Sequence, residues 1–181
     1  MKLHFFVITS VLVLAACGNN TNQATAKTSV TTDGKHSVEY ITQRLNAIYN
    51  DVYSNAFMLI ENDHKYMSSE YNRLQDKAME IAQRNGDLVV DADHWIQGQE
   101  WTEPKMTVQS VNDITENTAN AVVKITKFGG TPDESEDLIT LPLVFERGDW
   151  YIDNMIQQWE GETLDEKAWY QRYVDNDGIL E

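Results

Sequence analysis

Apolar residues at Val38, Ile41, Leu45, Ile48 and Val52 recur at spacings that alternate between three and four, the period of a single helix face. Tyr40, Tyr49 and Tyr53 border the stripe, and Asn50 and Asn55 favour fraying at its end. The polar run Glu61-Asn62-Asp63-His64-Lys65 then reads as a break. A second helix fits Ser69 to about Gln83, with Tyr71, Leu74, Ala78, Ile81 and Ala82 inward and Asn85-Gly86 as its stop signal. Beyond residue 104 the period drops to two. Met106 to Val111 alternates, as do Ala119, Ala121, Val123 and Ile125, and Leu138 to Phe145 places Ile139, Leu141, Leu143 and Phe145 on one strand face. Pro142 inside that strand suggests an edge position or a bulge. Arg147-Gly148-Asp149 is a turn, and Trp150 to Met155 is the returning strand of a hairpin. Turn-length connectors require antiparallel pairing, because parallel neighbours need crossovers. Thr163-Leu164-Asp165-Glu166 matches a capping box for a last short helix reaching about Tyr173. The predicted class is α+β: two N-terminal helices packed on a curved antiparallel sheet, with a short C-terminal helix. No repeat of solenoid period is present.

The first residues follow a different logic. Lys2 precedes an apolar stretch from Phe5 to Leu14, which ends in Ala15-Ala16-Cys17. This pattern is that of a secretory signal peptide, and its apolar stretch falls short of the roughly 20 residues that span a hydrocarbon core. Leu14-Ala15-Ala16-Cys17 looks like a bacterial lipobox, in which small residues suit the signal peptidase and the Cys17 thiol accepts a diacylglyceryl group. Cys17 is the only cysteine in the chain, and thioether formation would consume a thiol that is a liability in an oxidising compartment. Two or three acyl chains, at ~0.8 kcal/mol per buried CH₂, anchor a protein stably where one is marginal. Residues 18–35 contain almost no large apolar side chain and read as a flexible tether, with a reach of roughly 20–25 Å. Residues 1–16 are therefore expected to be a lipoprotein signal peptide, 17–35 the lipidated cysteine and tether, and 36–181 a single α+β domain. Gly18 after the cysteine favours the outer membrane of the bacterial envelope.

Length and charge narrow the function. The chain has 181 residues, 41% of them hydrophobic, which is enough for one domain with a real core. Its 29 acidic residues against 14 basic ones give a net charge of −15, which repels a phosphate backbone and excludes nucleic-acid binding by the usual electrostatic route. No Walker A loop, no G-x-S-x-G elbow and no nucleophilic cysteine beyond Cys17 is present, and nothing in the pattern calls for a cofactor.

The segment Asp93-His94-Trp95-Ile96-Gln97-Gly98-Gln99-Glu100-Trp101, together with the strands that follow and with Leu143-Val144-Phe145-Glu146-Arg147-Gly148-Asp149-Trp150-Tyr151-Ile152-Asp153, resembles the domain of unknown function 3828 family of bacterial envelope lipoproteins. The resemblance covers about residues 38 to 157. It implies a nuclear transport factor 2-like (cystatin-like) cone and an envelope compartment, and it allows a homodimer paired through the sheet. It implies no reaction and no catalytic residue.

In such a cone the segment around residues 91–101 is the natural rim of a ligand pocket. In an extended conformation Trp95, Gln97, Gln99 and Trp101 would share one face, offering rings for stacking and amides for polar groups. With Asp93 and with Trp150 from the hairpin they form the candidate ligand-binding set. The plainer reading makes both Trp residues core and lets the Gln amides satisfy backbone groups near Gly98. Asp91, Asp93 and His94, and separately Asp63 and His64, bring acids beside imidazoles, as an acid/base dyad or a metal site requires. Neighbours on an extended chain point to opposite faces, however, and no His-x-His or cysteine supplies further ligands, so no metal is expected. Asp133 to Asp137 reads as a solvated loop. Asp175-Asn176-Asp177-Gly178 imitates a calcium loop that the chain is too short to close. The expected function is therefore that of a non-catalytic, lipid-anchored module that binds a small amphipathic ligand or an envelope protein. The alternatives are an accessory subunit of an envelope complex and a small hydrolase or isomerase using a pocket Asp/His pair.

Overall fold

The structure, a computed structural model, describes residues 34–55, 59–89, 92–98, 103–127, 136–159 and 161–179. Cys17, the tether to residue 33, Gln99, Trp101 and most of the acidic loop lie outside the described residues.

Three helices, not two, precede the sheet. Helix α1 (Val38–Ser54) is capped by the Ser37 side chain, which accepts from the Tyr40 N–H, and buries Ile41, Leu45, Ile48, Tyr49 and Val52. Val38, the first residue of the predicted stripe, is 45% exposed. The run expected to be a break is helix α2 (Leu59–Tyr66), and it buries Asn62, Asp63 and Tyr66. Its inward residues at consecutive and i, i+3 positions are partly polar, so its buried face reads as solvent in a hydrophobicity pattern. Helix α3 (Ser69–Asn85) keeps its predicted position, with Ser68 as N-cap and Gly86 in the left-handed conformation as C-cap at φ 79°.

The sheet has six strands: β1 (Lys105–Asn112), β2 (Thr118–Thr126), β3 (Glu136–Glu146), β4 (Asp149–Ile152), β5 (Ile156–Trp159) and β6 (Glu162–Asp165). All strand pairs are antiparallel, in the order β1-β2-β3-β5-β6, with β4 also paired to β3. A register shift between Val108 and Ser110 switches the parity of β1, so that Val111 becomes the buried residue at its end. Pro142 is not at an edge. It lies in the strand that pairs with β2 on one side, at the point where the partner on the other side changes from β5 to β4. The missing N–H is tolerated at that gap, and the Pro142 carbonyl accepts from Asp153 N–H at 2.8 Å. Arg147 and Gly148, at φ 51° and 79°, make the two-residue hairpin turn between β3 and β4.

The inner face of the sheet is filled. Ala119, Ala121, Val123, Ile125, Ile139, Leu141, Leu143, Trp150 and Ile152 join the inward residues of α1 and α3 in one hydrophobic core. Thr163 does not cap the last helix, because it pairs with Gln158 in the β5–β6 hairpin. Helix α4 (Glu166–Asp175) starts instead at the Asp165 cap, whose carboxylate accepts from Ala168 N–H, and it packs on α3. The hairpin and this cap place Glu166 over the segment that carries His94.

Candidate functional site

Residues 93–98 form a closed loop in place of the expected extended strand. Asp93 N–H donates to the Gly98 carbonyl at 2.9 Å and Gly98 N–H returns to the Asp93 carbonyl at 3.2 Å. The Asp93 carboxylate accepts from Trp95 N–H at 2.8 Å, and Gln97 adopts φ 53° while its amide donates to the His94 carbonyl. An aspartate that bonds the backbone two residues ahead is a turn-former, and the turn sends His94 and Trp95 inward together.

There they meet α2 and α3. His94 Nε2 lies 2.9 Å from Asp63 Oδ1, and its Nδ1 lies 3.2 Å from Glu166 Oε2. Trp95 Nε1–H donates to the same Asp63 Oδ1 at 2.7 Å, and the Gln75 amide donates to Asp63 Oδ2 at 2.6 Å. Tyr71 O–H donates to Glu166 Oε2 at 2.8 Å. Asp63 is fully buried and His94 is 7% exposed. Burial alone would discharge the imidazole, but Asp63 and Glu166 outweigh it and hold His94 protonated well above the usual histidine value. Both ring nitrogens are therefore donors, one to each carboxylate. Burial, reinforced by Glu166, keeps the Tyr71 phenol neutral far above its ordinary range. Burial also raises the Asp93 carboxyl against the opposing pull of His94.

His94 and Glu166 carry this Asp63–His94–Glu166 chain to the lining of a cleft, with Asp63 buried behind them. A cavity of about 250 Å³ is bounded by Val89 and His94 on one side and by Leu164, Glu166, Trp169 and Tyr170 on the other. A second cavity adjoins it through His94, Gln157, Leu164 and Glu166, and is lined further by Asp93 and Gln97. Glu166, Trp169 and Tyr170 stand at i, i+3 and i+4, on one helix face. Trp169 stacks on Tyr173 with ring centroids 5.2 Å apart. Asn154 holds the start of α4 in place, donating to Asp165 Oδ1 and accepting from Lys167 N–H.

The candidate residues from the sequence divide accordingly. Asp93 and Gln97 line the cleft. Trp95 is fully buried, packed edge-on against Tyr49 at 5.4 Å, and offers no face to a ligand. Trp150 is also in the core, far from the cleft lining. Its Nε1–H donates to the Lys35 carbonyl at 2.6 Å, which fastens the chain entry to the sheet. Gln99 and Trp101 lie outside the described residues. Neither Asp-His dipeptide pairs within itself: Asp63 pairs with His94, and His64 pairs with Asp76 at 2.9 Å in the open. Glu166, Trp169, Tyr170, Tyr71 and Gln75 are missed by sequence reasoning. For the first three the only signal is an acidic first turn followed by an aromatic cluster in the last helix, while Tyr71 reads as an inward position of α3 and Gln75 carries no signal. Among the described residues no group of three or more His, Cys, Asp or Glu side chains is placed to hold a metal ion. The acidic mimic at Asp175 to Gly178 is a helix end, with Gly178 N–H donating to the Tyr173 carbonyl at 2.8 Å. The chain matches no family model, and neither the curated proteins nor the solved structures compared with it include a match.

Proposed function

We propose that the chain is a lipid-anchored protein of the bacterial cell envelope whose domain binds a small amphipathic ligand in the cleft over His94 and Glu166, without transforming it. One observation carries the binding reading: both nitrogens of His94, the only histidine of the cleft among the described residues, are occupied by carboxylates. An imidazolium held this way has no lone pair for a substrate proton and no proton it can release cheaply, so it serves to fix two carboxylates. An apolar wall with a few convergent polar groups is what a ligand pocket requires. The lipid anchor at Cys17 rests on the Leu14-Ala15-Ala16-Cys17 motif and the tether behind it. The reading of the domain as a nuclear transport factor 2-like cone of the envelope family rests on the sequence resemblance, and the mixed order of helices and antiparallel strands supports only its α+β class. The ligand-binding test is quenching of tryptophan fluorescence on titration with envelope metabolites, glycans and peptides. The reading predicts a saturable response that Trp169→Phe alters. Mass spectrometry of the mature N-terminus tests the anchor, with a diacylated Cys17 expected.

A small hydrolase or isomerase is the competing reading, and the placement of His94 beside two carboxylates at a cleft favours it. With His94 saturated, the base would be a cleft carboxylate such as Glu166, whose Oε1 has no donor among the described residues. Any compound that quenches the fluorescence is therefore to be recovered and weighed. Unchanged mass and unchanged isomer composition support binding, and conversion supports the enzyme.

A further inference from the structure

The geometry points to an organic cation as the ligand of this cleft: an ammonium or guanidinium group on a small apolar body, seated between Glu166 Oε1 and the Trp169 indole. This deepens the binding reading and rests on it.

The argument is one of charge and acceptors. The buried chain holds two carboxylates, Asp63 and Glu166, around one imidazolium, so one negative charge is left over. Asp63 is saturated, since its two oxygens take three donors from His94, Trp95 and Gln75. Glu166 is not. Its Oε2 takes Tyr71 O–H and His94 Nδ1, while its Oε1 has no hydrogen-bond donor among the described residues. The side chain is 22% exposed and lines both cavities, so the excess charge reaches the cleft through it. A partly desolvated carboxylate with an open acceptor is costly unless something positive meets it.

The surroundings favour a cation further. Trp169 and Tyr170 flank Glu166 on the same helix face, and an indole face attracts a desolvated ammonium or guanidinium. Of the other carboxylates at the cleft, Asp165 and Asp93 each give one oxygen to a backbone N–H, and Asp137 lies 3.1 Å from Lys127. They add negative potential without competing for the Oε1 position. Among the described lining residues outside the buried chain, the opposing charge is Arg172, which is exposed at the rim. A cavity of about 250 Å³ admits a single-ring body.

Three probes that differ only in their end group test this by calorimetric titration of the full chain: phenethylammonium, 2-phenylethanol and 3-phenylpropionate. A charge-assisted hydrogen bond adds enough to make the ammonium at least about tenfold tighter than the alcohol, with the carboxylate weakest. Equal affinities for the ammonium and the alcohol would overturn the cation assignment and leave the binding reading intact. Failure of all three to bind at millimolar concentration would remove both. Glu166→Gln is expected to abolish the preference while the alcohol still binds. Because Glu166 also supports His94, a second variant away from the buried chain carries the same test. Arg172→Gln should tighten the ammonium by roughly two- to threefold at low salt, and weakening by this variant would overturn the assignment.

Discussion

Two histidine–aspartate pairs in this molecule have the same separation and little else in common. His94 Nε2 and His64 Nε2 each lie 2.9 Å from an aspartate oxygen. The His94–Asp63 pair is 7% and 0% exposed, and a second carboxylate lies on the other ring nitrogen. The His64–Asp76 pair is about half exposed on both sides, between neighbouring turns of α2 and α3. Distance therefore says almost nothing about what a pair contributes. In the first, water has been removed and each charge depends on its partners. In the second, water solvates both partners whether or not they meet.

The largest expected effect comes from breaking the buried member. His94→Ala leaves Asp63 inside the protein with a carboxylate and no imidazolium, and removal of one partner from a buried pair costs about 3–5 kcal/mol. Urea unfolding followed by tryptophan fluorescence measures the loss. A loss below about 1 kcal/mol would mean that Asp63 finds water or takes up a proton freely, and the contrast between the two pairs would disappear.

The pH dependence of stability tests the same pair without mutation. Because the folded-state value for His94 is raised, the native protein holds this proton more tightly than the unfolded chain does. The contribution is complete below about pH 6.5, the ordinary histidine value. It is lost as pH rises from there through the folded value, at no more than about 1.4 kcal/mol per pH unit. The unfolding midpoint is thus expected to fall as pH rises above about 6.5, and His94→Ala should flatten that slope. A midpoint that stays flat there and instead rises with pH below about 6.5 would show a neutral, buried imidazole.

Glu166→Gln is the next step down. His94 keeps Asp63, the glutamine amide still reaches solvent, and Tyr71 can donate to the new carbonyl oxygen. The expected cost is about 1–2 kcal/mol, that of weakening hydrogen bonds to a charged group. A cost equal to that of His94→Ala would make the three groups a single indivisible unit. A negligible cost would reduce Glu166 to a surface residue and weaken its role at the cleft.

Much of the architecture was legible along the chain, and the failures share one cause. Helices α1 and α3 and strands β1 to β4 bury apolar side chains at regular intervals, so periodicity locates them. Helix α2 turns Asn62, Asp63 and Tyr66 inward, and a buried carboxylate looks like a loop to any reading based on hydropathy. The β5–β6 hairpin is short and rich in Gln, Thr and Glu, so its strand character comes from pairing with β3 and not from its own residues. The candidate site suffered in the same way. Asp93 to Gly98 stood out for its composition, but the chemistry lies with partners 31 and 72 positions from His94 in the chain, Asp63 and Glu166. A single sequence carries no signal for a contact of that kind.

The smallest effect is expected at His64, and it completes the contrast. Its bond to Asp76 has good geometry, so if geometry governed energy, breaking it would matter as much as breaking the buried pair. Solvent predicts otherwise. Two half-exposed side chains lose conformational freedom to meet, and their attraction is weakened by water and by salt. A double-mutant cycle with His64→Ala and Asp76→Ala should give a coupling of no more than about 0.5 kcal/mol at pH 6 and low salt. It should approach zero in 1 M NaCl, where the screening length is about 3 Å. A coupling above about 1 kcal/mol that persisted in salt would show that the α2–α3 turn excludes water from this pair as well. The two histidines would then differ in degree, and burial would no longer be what separates them.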